Sequence, residues 1–115
     1  LSTLGPICDF CGRHEIAWRY PALSFDTMTV MESGNQELAH FNWQSVTDWA
    51  ACDECSVLIE AEDWSALAKR AVLSSPVLRS LPSDLRKEIS PQVYKSARAL
   101  HQAFKKARTA DREPA

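Results

Sequence analysis

Four cysteines hold most of the chemistry available to this 115-residue chain. They form two Cys-x-x-Cys pairs, Cys8 and Cys11 in "CDFC" and Cys52 and Cys55 in "CDEC", with no cysteine left over. Two intervening residues let one tight turn aim both sulfurs at a single point, and two such turns supply a tetrahedron of thiolates. That ligand set suits one Zn²⁺ per chain, a cation soft enough for sulfur and free of redox demands. Gly12 directly follows the first pair, where a knuckle needs backbone at positive φ. Asp53 and Glu54 follow the second pair's first cysteine and place negative charge in the first turn of a helix, where the dipole favours it. Amides at that helix end can donate to the thiolates and offset their charge. A disulfide reading fits poorly, because sulfurs so close in sequence bridge only under strain and nothing suggests secretion. A thiol redox site at a helix N-terminus would need a βαβ surround and would leave the first pair unexplained.

The knuckle "CDFCG", a strand-rich interval and then "CDECSVLIEAEDW" resemble the treble-clef, or zinc-ribbon-like, four-cysteine finger superfamily over roughly residues 7–72. The resemblance implies a knuckle, a β-hairpin and a helix whose first turn brings the second ligand pair, with Cys8, Cys11, Cys52 and Cys55 on the metal. It lies in architecture and ligand spacing, and such fingers serve many unrelated roles. The interval between Cys11 and Cys52 is longer than in compact members, which predicts an elaborated hairpin. Iron is the alternative metal, since rubredoxins also use two such pairs. Ser56, however, stands where their second knuckle carries glycine.

The elements that must position these ligands can be read from periodicity. Trp18, Tyr20, Phe25, Thr27, Thr29 and Val30 favour strands, "ESGN" at 32–35 carries turn chemistry, and Leu38 to Trp43 can return as another strand. Two or three short antiparallel strands are expected. From Asp53 to about Leu73, Val57, Leu58, Ala61, Trp64, Leu67, Ala68 and Val72 fall on one helical face. Ser75-Pro76 and Ser90-Pro91 both read as helix starts, with one or two short turns broken around Pro82 between them. A last helix is expected from Pro91 to Arg108. Its apolar stripe is Val93, Ala97, Leu100, Phe104 and Ala107, with Lys95, Arg98, Lys105 and Lys106 roughly opposite. The fold class is therefore α+β: a metal-binding domain over 1–74, a helical extension over 75–109 packed on it, and a frayed tail over 110–115.

Charge divides the chain. The formal net charge is −2, yet residues 1–74 carry four basic against eleven acidic side chains, and the remainder nine against four. Such a split suggests sections that face each other, within one chain or across a homodimer, or that meet different partners. Lys95, Arg98, Lys105 and Lys106 are candidate contacts to nucleic acid or to a partner protein; an acidic pI near 5.9 favours the protein. Trp18 and Trp43 join them as candidate stacking or partner residues, whereas Trp49 and Trp64 are expected to wall the metal and pack the helix. His14, His40 and His101 have no evident catalytic company, and no nucleophile elbow, P-loop or His-Glu-x-x-His signature appears. Four thiolates would also close the coordination sphere. The expectation is a non-enzymatic structural-zinc protein acting as a protein-interaction or regulatory module. With no leader and no apolar run of membrane-spanning length, it is expected to be soluble and cytoplasmic.

Overall fold

The computed structural model describes residues 7–34, 36–45 and 48–115, with the side chains of 27–32, 36–45 and 76–77 outside that description. The fold is α+β. Strand β1 (Trp18–Tyr20) lies between β4 (Trp49–Ala51) and β5 (Glu113–Pro114), antiparallel to both. Between β1 and β4 the chain makes a long excursion, the hairpin of β2 (Phe25–Ser33) and β3 (Gln36–Ser45). These strands are longer than the short ones expected. Their register shifts between Met31 and Glu32, and Gly34 at the turn takes φ +60°, a conformation that costs glycine little. The Glu88 carboxylate accepts hydrogen bonds from Ser33 Oγ (2.8 Å) and the Gly34 amide (3.2 Å), which ties the hairpin tip to the helical section.

Four helices follow: α1 (Asp53–Glu60), α2 (Trp64–Leu73), α3 (Pro76–Arg79) and α4 (Ser83–Ala107). The single helix expected over 53–73 is two. Helix α1 ends at Ala61, Glu62 turns the chain with φ +55°, and the Asp63 carboxylate accepts from the Ala66 amide at 3.1 Å to start α2. An N-cap aspartate inside a continuous apolar period re-aims the chain without breaking that period. The Ser75-Pro76 start is present, with the Leu78 amide donating to Ser75 Oγ at 3.4 Å. Ser90-Pro91 is not a start: α4 begins just past Pro82 and runs through Pro91. Pro91 and Lys87 are exposed, so the carbonyl that the proline leaves without an amide partner lies on the solvent side. The tail, expected to fray, instead pairs as β5, and the Ala115 amide donates to the Ala17 carbonyl at 3.1 Å.

The core is aromatic. Phe104 of α4, fully buried, meets Phe10 at 5.0 Å, Trp49 at 5.1 Å and Tyr20 at 5.6 Å between ring centroids. Trp49 also packs on Phe10 and stacks on Phe25. Ile59 and Leu67 complete the centre. Such edge-to-face and offset pairs add to the burial of large rings. Helix α4 therefore enters the core that holds the sheet and the knuckle. Among the described residues, no helix is long and apolar enough to cross a membrane.

Candidate metal centre

The residues between the first two cysteines dock the knuckle. The Asp9 amide donates to the Ala50 carbonyl at 2.8 Å, and its carboxylate accepts from the Ala50 amide at 2.7 Å. Phe10, 4% exposed, plugs into the ring cluster under α4. This two-point attachment to β4 sets Cys8 and Cys11 beside the head of α1. The knuckle closes through the Gly12 amide on the Cys8 carbonyl (2.8 Å) and the Cys8 amide on the Arg13 carbonyl (2.7 Å), with Gly12 at φ +79°. On the other side Cys52 is the N-cap of α1. Its sulfur accepts from the Cys55 amide at 3.5 Å, the role a serine or aspartate oxygen plays elsewhere.

All four sulfurs are buried, none is in a disulfide, and they lie within 4.8 Å of one another. A tetrahedral ion about 2.3 Å from each sulfur requires sulfurs about 3.8 Å apart; Cys11 and Cys52 stand at 3.7 Å. The donor set thus fits a metal ion with four sulfur ligands. The Phe10 amide faces the Cys8 sulfur at 3.4 Å and the Cys55 amide faces Cys52, as thiolate ligands require. The Cys8 thiol is held down to about 4 by a hydrogen bond from Cys55 and by backbone amides that outweigh burial. Cys55 is pushed up, first by that same shared proton and then by burial, and Cys11 is pushed up by burial. A dication at the centre would favour the thiolate form of all four.

Arg70 of α2 reaches this centre. Its Nε donates to the Cys55 sulfur at 3.3 Å and its Nη2 to the Cys52 sulfur at 3.7 Å, while Nη1 pairs with Glu54 at 2.7 Å. Burial penalises this guanidinium, but its hydrogen bonds to Cys55 and Cys52 hold it more firmly charged. In the sequence Arg70 is only a basic residue near a helix end. Its role depends on the break at Glu62, which swings α2 back over the head of α1.

A second polar network covers the outer side of α1. Tyr20 Oη lies 2.8 Å from Ser56 Oγ and donates to Glu60 at 3.0 Å. Arg112 donates to Ser56 Oγ at 2.6 Å and stacks on the Trp18 ring at 3.8 Å. Arg108 lies over Tyr20 and pairs with Glu60 at 3.5 Å. Trp18 Nε1 donates to Asp53 at 3.2 Å. One face of Trp18 is therefore already taken by the tail. The Trp43 side chain, like that of His40, lies outside the described residues.

The four basic candidates on α4 differ in their surroundings. Lys105 pairs with Glu62 at 3.3 Å and sits over the Trp64 ring. Arg98 is half-buried and donates to Tyr94 Oη at 3.2 Å. Lys95 and Lys106 are exposed. His14 is exposed, and His101 is 1% exposed against Phe10 with its Nδ1 unpartnered. Between α2 and α4 runs an open groove of about 590 Å³, lined by Val72, Leu73, Pro91 and Tyr94 with Lys69 and Lys87 at its sides. No family model matches the chain, and no curated protein or solved structure does so either.

Proposed function

We propose that the chain is a non-enzymatic structural-zinc module with the treble-clef order of knuckle, strands and ligand-bearing helix, and that it works by binding another protein. Zinc suits four thiolates in a tetrahedral pocket and supplies folding energy there. Four sulfur ligands leave no open position for a substrate, which supports a structural role over a catalytic one. The observation that carries protein binding is the groove between α2 and α4. Leu73 is 76% exposed at its side, a large aliphatic residue held out of the core. Lys69 and Lys87 flank it, and neither makes an ion pair among the described residues.

An amphipathic partner segment with apolar anchors and flanking acids complements that surface. The probe is a synthetic helical peptide with leucine at i, i+3, i+4 and i+7 and glutamate elsewhere, titrated into zinc-loaded, isotope-labelled protein. Chemical-shift changes confined to residues 69–73 and 87–94, lost in Leu73→Asp and weakened in Lys69→Glu, are expected. No shift at millimolar peptide would refute the groove as a binding surface.

A further inference from the structure

The two ligand pairs have different surroundings. The Cys52 and Cys55 sulfurs share one guanidinium, while among the described residues no cationic side chain hydrogen-bonds Cys8 or Cys11. All three guanidinium nitrogens of Arg70 are spent on one turn of chain, on Cys52, Glu54 and Cys55. The side chain is 17% exposed, so water competes weakly for it. Glu54, 68% exposed, anchors the outer nitrogen and aims the fork at the sulfurs.

We propose that Arg70 is a positioning residue of the metal centre: it neutralises the helix-borne thiolates, Cys52 and Cys55, and holds them on the ion, so that metal leaves from the knuckle side, Cys8 and Cys11. This rests on the four-cysteine site holding a metal ion. A thiolate that donates charge into a guanidinium is a poorer nucleophile and a poorer target for electrophiles than one facing amides only. The knuckle pair therefore reacts first and detaches first. Because the guanidinium comes from α2 and the thiolates from α1, the same contact fixes the angle across the Glu62 turn whenever the thiolates are charged.

The test uses the full chain loaded with zinc, with metal content measured first. Release to a chromogenic chelator is followed, and iodoacetamide labelling is resolved cysteine by cysteine by mass spectrometry. In the parent protein Cys8 and Cys11 are labelled ahead of Cys52 and Cys55. In Arg70→Gln the order is lost and release is on the order of tenfold faster, the scale of losing a residue that supports metal ligands. Arg70→Lys, whose single ammonium cannot span both sulfurs, falls between, and it carries the comparison if Arg70→Gln does not fold. Lys95→Gln removes an exposed charge that no contact ties to the sulfurs and retains the labelling order. Unchanged order and release in the Arg70 variants, or an equal change in Lys95→Gln, would overturn the proposal. A purified chain that binds no metal would overturn the metal-site reading as well.

Discussion

His101 makes stability depend on pH in a window set by its burial. The ring is 1% exposed, packs 5.4 Å from Phe10, and has Nδ1 without a partner. Burial, with a smaller contribution from Arg98, pulls its pKa from 6.5 down to about 4. Phe10 is the ring packed against it, and Arg98 is the charged group that bears on it. As pH falls below 6.5 the unfolded chain takes up a proton that the folded chain refuses until about pH 4, so stability declines across that interval and is flat above it. At 1.36 kcal/mol per unit, the full loss is about 3 kcal/mol, and about 2 kcal/mol of it has accrued by pH 5. The perturbation is His101→Leu, which fills similar space and cannot titrate. Urea unfolding of zinc-loaded parent and variant at pH 7.5, 6.5, 5.5 and 5.0 gives the difference at each pH. Proton competition for the cysteines weakens metal binding in both proteins, and that term cancels in the difference. The gap should move by about 2 kcal/mol in favour of the variant between pH 7.5 and 5.0. Parallel stability curves would refute the reasoning.

Removing the metal should unfold the knuckle and α1 together, because the four sulfurs join the knuckle to the head of α1; elemental analysis before chelation should give one zinc per chain, and circular dichroism after it a loss of cooperative melting. Phe104→Ala empties a fully buried site facing three rings and should cost about 3–5 kcal/mol in urea unfolding. Arg112→Ala removes both the Trp18 stack and the short hydrogen bond to buried Ser56. A loss of about 1–3 kcal/mol is expected, with faster amide exchange at residues 113–115 as its signature.

The metal centre was legible because its information is local: two residues between ligands set a turn, and Gly12 and the acids after Cys52 complete it. The α+β class and the start of α1 were legible for the same reason. The misreadings share the opposite cause. Asp63 caps a new helix inside an unbroken apolar period, so periodicity reports the face and hides the bend. Pro91 carries a helix-start signature, yet α4 has already begun eight residues earlier, and packing of Ile89 and Phe104 holds it together. Strand β5 has two residues and no propensity to announce it; it exists only because β1 offers an edge and Arg112 a ring to sit on. Nothing in the sequence around the first two ligands marks Phe10 as a core residue. Its burial under α4 depends on a partner some ninety residues away in sequence, which no window along the chain can contain.

The tail strand has a kinetic consequence. Arg19 meets Glu113 across 94 positions, and Cys11 meets Cys52 across 41. A fold whose sheet depends on such distant partners forms late, since each closure must be reached by diffusion before anything rewards it. The helices can flicker into place much sooner. During that search the four thiols are unshielded, and mispairing between Cys8 and Cys11, or across molecules, competes with metal capture. Folding ends that exposure: in the finished molecule all four cysteines are buried, with Arg70 and the first turn of α1 against Cys52 and Cys55.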